Sequence, residues 1–410
     1  MTAPRFTLII PTRERAATLG ACLETITAQT FASLEILVSD NDSTDGTAAV
    51  VAANPDPRIR YLKTGRRLSM SHNWEFALSH ATGEWIGFIG DDDGLLPGAL
   101  ARLDQILHNA PPGLDLVRSR PGHFLWPQLL GRDGGHLSLP LGGGPRLVSC
   151  EKALKACLAG RLHYLELPTL YTGGFVHRRA IERARAPSGS FFLSRIPDVY
   201  SSVILSATCK DYLLLRQPLA LNGASAASTG TAQFTLSRDP ARNKAAQIFL
   251  QEDNIPLHPS VPLREDGSIP RSLQALVFES YAQALAIHPM FGPLDPGAMM
   301  RAIAATGGDH EAEILHWLAG FAAANNAGPV PRPGLAALRH KALSFWSLAF
   351  MNRLIFYPEH RPPLRTIADA ARTGGAALAT APSPLVAVLA NSLRRLGRAL
   401  AGRPPSRPGR

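Results

Sequence analysis

The sequence predicts an α/β protein: a mostly parallel sheet flanked by helices, with an additional helical domain toward the C-terminal end. Three observations carry this expectation. Short apolar runs alternate with segments of helical spacing from residue 6 to residue 117, the pattern of strands joined by crossover helices. Polar clusters stand directly after three of those runs. Beyond about residue 235 the apolar spacing turns helical and stays so.

The elements follow in order. Residues 6–10 form an apolar run stopped by Pro11, which has no N–H to give to a ladder. Residues 16–30 set Leu19, Cys22, Leu23 and Ile26 on one helical face. Residues 34–38 read as a second strand ending in the polar stretch 39–45, where Thr44 or Asp45 is placed to cap a helix at 47–53. A third strand at 59–62, a helix at 71–80 and a fourth strand at 85–89 lead straight into Asp91. A helix at 97–108 and a strand at 114–117 complete the series. Trp74 and Trp85 read as core aromatics. In open sheets of this kind ligands sit beyond the carboxyl ends of the strands. The clusters 11–15, 39–45 and 91–93 are therefore expected to meet at one rim.

Residues 121–146 are rich in Gly, Pro and Leu and read as a loop-rich crossing. Order returns with a helix at 151–159, a strand near 174–177, a helix holding 198–207 and a strand at 212–215. Residues 222–231, small and polar, read as a loop. Helices are expected at 239–251, 272–287, 296–304, 311–324 and 335–355. Between them, 253–270 carries Pro256, Pro259, Pro262 and Pro270 and reads as a linker. The expected organisation is an α/β domain over 1–235, a helix and proline-rich linker over 236–270, a helical domain over 271–357, and a basic tail with an amphipathic helix over 358–410.

Composition narrows the function classes. The four cysteines form no CxxC pair, which argues against a zinc site or a disulfide framework and suits a reducing cytoplasm. The first residues lack the pattern of a signal peptide, and no run approaches the ~18 apolar residues that span a bilayer. The net charge of +10 is uneven: no acidic residue follows Asp369. The end of the chain is either a solvated tail or a surface for anionic lipid. Within it, Leu385, Val388, Leu389, Leu393, Leu396 and Leu400 recur near helical spacing, with Arg394, Arg395 and Arg398 between them, a helix suited either to an anionic bilayer surface or to packing on the protein's own helical domain.

The chemistry centres on Asp91, Asp92 and Asp93. Side chains in an extended turn splay, so two carboxylates can face one ion while the third turns away. Hard oxygen ligands select Mg²⁺ or Mn²⁺, which share their shell with water and substrate phosphates. The structural alternative is an acidic cap for the helix that follows Pro97.

Here the sequence resembles family 2 glycosyltransferases of the GT-A fold. Leu8 to Arg13, Leu23, Gln29, Glu35 to Asp40 and Ser43 to Thr47 look like that family's opening. Gly83 to Asp93, with Leu95 to Pro97, looks like its DXD segment. The match is strong over 6–105 and weak over 150–230. The resemblance implies a nucleotide-diphosphate sugar donor, with a UDP-sugar foremost, and a saccharide or lipid-linked acceptor in cell-surface or secreted polysaccharide synthesis. No nucleic acid partner is expected. Pro11, Thr12 and Arg13 would line the base, and Asp40 would bind its edge with Asn41 nearby. Ser71 and Asn73 would face the nucleotide. Asp91 and Asp92 would contact ribose and metal, with Asp92 and Asp93 as the metal ligands. Two departures stand out: Asn41 and Gly90 occupy places where relatives often have aspartate.

Inverting transfer also needs a general base for the acceptor hydroxyl. The resemblance puts an aspartate at the start of a helix behind the acceptor, and Asp198 fits; its structural alternative is a helix cap. Asp211 is the rival carboxylate. Arg178 and Arg179 read as a solvated basic strand end rather than a phosphate site. The chain is expected to be cytoplasmic, with contact to a membrane face through its basic tail. A non-catalytic nucleotide-sugar-binding scaffold is the competing class. A nucleotidyltransferase ranks below it, because no glycine lies in 11–15.

Overall fold

The first half of the sheet is parallel, as the alternation of strands and helices implies. In the computed structural model, β1 (Phe6–Thr12) pairs with β2 (Leu34–Asp40) on one side and β4 (Trp85–Phe88) on the other, and β3 (Ile59–Lys63) extends it beyond β2. The structure describes residues 3–127, 134–225, 252–265, 267–268, 270–288, 292–307, 310–331, 353–356 and 364–400. Helices α1 (Ala16–Thr27), α2 (Thr47–Ala52), α3 (Met70–His80) and α4 (Ala99–His108) make the crossovers. The strand side chains alternate between two cores. Phe6, Leu8 and Ile10 join Leu19, Leu23 and Leu100 on one face. Ile9 joins Trp74, Phe88 and Val203 on the other. Trp74 stacks on Phe88 with centroids 4.5 Å apart, and Trp85 is also buried.

Pro11 does not stop β1, which runs on to Thr12. The reason is the neighbour. Ile89 N donates to Ile9 O, and there pairing with β4 ends. Two residues later Pro11 turns its missing N–H toward that vacated side, so no ladder bond is lost.

The remainder of the sheet is mixed. β10 (Gly174–His177) lies antiparallel between β4 and β6 (Leu116–Ser119). β11 (Asp211–Leu215) runs parallel to β6, and β9 (Arg146–Ser149) closes the edge antiparallel to β11. Helices α5 (Cys150–Leu158), α6 (Arg178–Ala184) and α7 (Pro197–Thr208) cover one face with α3.

Several expectations are corrected. The crossing at 121–146 holds β7 (Gly122–Leu125) and β8 (Leu137–Pro140), which build a second sheet in the order β13-β8-β7-β12-β5 with β5 (Gly94–Leu95), β12 (Ala220–Ala224) and β13 (Arg353–Phe356). The loop expected at 222–231 therefore begins as strand, and the helix expected at 335–355 ends as strand. Residues 226–231, residues 335–352 and the whole helix at 239–251 lie outside the described residues. The linker at 253–270 is packed: Val261 is buried, and Pro262 O accepts from Trp317 Nε1 at 2.9 Å. In the helical region, α8 (Leu273–Leu285) belongs to two cores at once. Leu276, Val277 and Tyr281 pack with α7, while Ala275 and Phe278 pack with α9 (Pro296–Ala305) and α10 (Glu311–Ala324). The C-terminal segment returns to the first half of the molecule. Helix α11 (Ile367–Ala379) lies against α1 and the second sheet, and Ile367 is fully buried there. Helix α12 (Pro384–Leu400) bears on β13.

Candidate active site

Register sets the rim. Thr12 pairs level with Asp40, and Ile9 pairs with Phe88, so the turn after β4 rises beside Thr12. Thr12 Oγ1 donates to Asp91 Oδ2 at 2.8 Å. The three clusters do meet, as the alternating pattern implied.

The triplet divides its work. Asp93 is wholly buried, and both of its oxygens are engaged. Oδ2 accepts from Gly90 N at 2.9 Å and from the Thr172 hydroxyl. Oδ1 accepts from Gly223 N at 2.6 Å. Asp93 ties the end of β4 to β12 and to the segment before β10. Asp92 Oδ2 accepts from Ser225 Oγ at 2.6 Å, and its backbone carbonyl accepts from Trp126 Nε1 at 2.9 Å. Burial pushes the Asp91 and Asp93 carboxyls above the ordinary carboxylate range. Asp92 raises both further, while the nearby Arg15 offsets the effect on Asp91. Such crowded carboxylates favour a cation between them.

Two glycines allow this packing. A Cβ on Gly90 would stand 2.8 Å from Asp93 Oδ2 and 3.2 Å from Asp92 Oδ1. A side chain at this position would crowd Asp93 folded back in this way. A Cβ on Gly223 would stand 1.8 Å from the Asp92 carbonyl oxygen, so only glycine lets β12 approach closely enough to bond Asp93.

The other expected donor residues are distributed unevenly. Asp40 is at the rim, but Oδ1 accepts from Ser43 N at 2.9 Å and Oδ2 accepts from the Tyr61 hydroxyl. Burial, then Asp40, pushes the Tyr61 phenol upward. Asn41 gives both ends of its amide to Leu68, accepting from its N–H at 2.8 Å and donating to its carbonyl at 2.7 Å. Asn41 thus shapes the loop before α3. Asn73 Oδ1 accepts from Ser39 Oγ at 2.8 Å behind the rim. Ser71 corrects the expectation that it faces the nucleotide: it is fully buried and donates to Ser194 O at 2.6 Å. Ser194 in turn donates to the buried Glu279 of α8 at 2.5 Å. Arg13 is ion-paired with Glu252, which Arg67 also approaches at 3.7 Å. A carboxylate therefore sits between two arginines beside the rim.

Asp198 stands at the start of α7, after Pro197 at the first helical position. Its Oδ2 accepts from Tyr164 Oη at 2.7 Å. The side chain is reached by solvent yet lies in a recess, and desolvation pushes its carboxyl upward, partly opposed by the Tyr164 bond. Tyr171 lies where the charges of Asp93, Asp92 and Asp198 all bear on its hydroxyl. Asp211 heads β11 and pairs in register with Ser149, away from this group. Arg178 is held by the carbonyls of Ala81 and Gly83, and Arg179 by Asp115.

Tyr164, Thr172, Gly223, Ser225 and Glu252 escaped the sequence reading. They reach the site from distant segments, and no local pattern marks them.

The described residues hold no group of three or more His, Cys, Asp or Glu side chains placed to bind an ion. The donor set nevertheless fits Mg²⁺ or Mn²⁺, which need only one or two carboxylates when a diphosphate and water complete the shell. Asp91 and Asp92 match that need; Asp93, with both oxygens engaged, does not.

The first four strands of the sheet are parallel, flanked by helices, and carry an acidic turn at their carboxyl edge. Residues 7–119 match the family model Glycosyl transferase family 2. A Campylobacter jejuni protein named GalNAc(5)-diNAcBac-PP-undecaprenol beta-1,3-glucosyltransferase is 39% identical over 105 residues, 25% of this chain and 34% of that protein. A Mycobacterium bovis PGL/p-HBAD biosynthesis glycosyltransferase is 36% identical over 137 residues, 31% of this chain and 52% of that protein. The chain spans about half or less of the length of these relatives. S. aureus TarS 1-349 in complex with UDP-GlcNAc superposes with a TM-score of 0.42 at 12% identity, covering 98% of this chain and 93% of that one.

Proposed function

We propose that the protein is an inverting, metal-dependent glycosyltransferase. Its donor is a nucleotide-diphosphate sugar, a UDP-sugar foremost, and its acceptor is a hydroxyl on a saccharide or lipid-linked saccharide. The observation that carries the reading is the convergence of Thr12, Asp40, Asp91 and Asp92 on one rim, where Thr12 bonds Asp91 directly. The named relatives support the reaction class; one of their names contains a polyprenyl diphosphate acceptor.

In this reading Pro11, Thr12 and Arg13 border the nucleotide, and Asp40 meets the base edge by exchanging its Tyr61 partner. Arg13 and Arg67 present positive charge to the diphosphate once Glu252 is displaced. Asp91 holds ribose through the order imposed by Thr12, and Asp92 is the principal metal ligand. A divalent ion bound there supplies Lewis-acid stabilisation of the leaving diphosphate. Asp198 takes the proton of the acceptor hydroxyl. The freed oxygen forms a bond to the anomeric carbon as the bond to the diphosphate breaks on the opposite face. Inversion follows from that single displacement. The raised Asp198 carboxyl is suited to this task, because a base closer to neutrality accepts a proton more readily.

The test is a thermal-shift panel of nucleoside diphosphates and nucleotide sugars with and without Mn²⁺. A ligand that binds the folded state raises its melting temperature. One nucleotide should give a shift that grows with Mn²⁺. No metal-dependent shift with any nucleotide would sink the reading.

A further inference from the structure

Helix α12 turns a row of large apolar side chains to solvent. Leu385, Val386, Leu389 and Leu393 are 77%, 53%, 65% and 69% exposed. Leu385, Leu389 and Leu393 repeat at four-residue steps, and Val386 lies beside them, so all four share one face. The other face is the anchored one. Ala387 and Asn391 are buried, and Asn391 Nδ2 donates to the Arg353 carbonyl of β13 at 2.8 Å. Single exposed leucines need no explanation, but a continuous row does.

We propose that this row is a docking surface for an anionic lipid bilayer, with α12 lying in the interface. The charge of the chain selects that occupant. Six arginines follow Leu393 and no acidic residue follows Asp369. Leucines entering the acyl boundary next to an arginine-rich segment match a surface of anionic headgroups. A second copy paired through the same row would bring the same unbalanced arginines toward one another. Crossing the bilayer is a poorer fit. Among the described residues no single helix is long and apolar enough to cross, and α11 with the first part of α12 passes only as a pair bent by 116°. Helix α11 keeps Ile367, Ala368, Ala370 and Ala371 in the core, so it cannot enter lipid without unpacking.

The placement gives the contact a use. Helix α12 rests on β13, at one edge of the second sheet; β12, three strands along, holds Asp93 through Gly223. At about 4.8 Å per strand that is roughly 15 Å. A bilayer under α12 would keep the acidic rim near the headgroups, where the sugar of a lipid-linked acceptor stands.

The experiment is co-sedimentation of the full chain with phosphatidylcholine vesicles, with and without phosphatidylglycerol. Binding should require phosphatidylglycerol and weaken as salt screens the charge. Leu389→Asp with Leu393→Asp should lower partitioning about tenfold or more and leave the melting temperature unchanged, because both side chains are already exposed. Arg394→Gln, Arg395→Gln and Arg398→Gln together should weaken binding to the anionic vesicles. The proposal is overturned if the wild-type chain stays in solution with those vesicles, or if binding survives the double leucine change. It is also overturned if that change abolishes a dimer while no vesicle binding is seen. Vesicle binding by a chain that moves no sugar would keep this inference and remove the proposed function.

Discussion

On one side of the acidic turn, Thr12 and Asp40 stand level because β1 and β2 pair in parallel register. On the other side the turn is held by Thr172, Gly223 and Ser225, the last two 130 and 133 residues away from their partners Asp93 and Asp92. One side follows from local strand order; the other exists only because a second sheet closes onto the first. Neighbouring carboxylates consequently differ in kind. Asp93 is a strut between the two sheets, whereas Asp92 is the proposed metal ligand. A motif read as three equivalent acids conceals that difference.

The largest test of the contrast is Asp198→Asn. Loss of a general base lowers kcat by about 10²–10⁴-fold, while the Mn²⁺-dependent thermal shift with nucleotide should persist. The same change bears on stability. The folded carboxyl is raised above its unfolded value, so folding binds protons more tightly. Stability then falls as pH rises from the ordinary carboxylate range through the raised value. The neutral amide should therefore melt no lower than the wild type at pH 7. Equal activity in the variant would remove Asp198 from the mechanism.

Asp92→Asn comes next. Removing the principal ligand should lower kcat by about 10²–10³-fold, and it should erase the Mn²⁺ component of the thermal shift with little change in intrinsic melting. Asp93→Asn should behave in the opposite way. An amide cannot accept at all of the Gly90, Thr172 and Gly223 donors, so stability falls by about 1–3 kcal/mol. Chemical denaturation measures that loss, and the Mn²⁺ response should survive at temperatures where the variant is folded. Identical behaviour of the two variants would erase the distinction between ligand and strut.

The smallest effect is expected from Tyr164→Phe. The Tyr164 hydroxyl donates to the ionised form of Asp198 and holds its pKa down. Without it the pKa rises. Activity requires the carboxylate, so the acid limb of the kcat/KM profile should move to higher pH by about one unit or less, the equivalent of one ordinary hydrogen bond. A limb that stays in place would separate Tyr164 from the base.

The donor half was legible because parallel strands joined by short crossovers leave few topologies, and the polar residues at their ends are contiguous in the chain. Thr12 with Asp91 could be paired on that basis alone. Ser71 was misplaced for a related reason: residues three positions apart on a helix share a face, but those two apart do not, and α3 turns Ser71 into the core toward Ser194. Gly90 was visible only as a missing aspartate. Its meaning emerged from Asp93 folding back over it. The strands at 122–125 and 137–140 were hidden because short strands rich in Gly and Pro show no period long enough to read.

By itself, then, the sequence determined the alternation of parallel strands and crossover helices in the first half of the sheet, the acidic rim, the candidate base at the head of a helix, and the uneven charge of the C-terminal end. Each depends on spacing or composition along the chain. Only the tertiary structure decided which carboxylate is a strut, that Glu252 lies between Arg13 and Arg67, that α8 serves two cores, and which leucines of α12 face outward. Those facts depend on close approach between segments distant in the chain, where a single missing Cβ or a buried N–H decides the arrangement, and no local pattern encodes them.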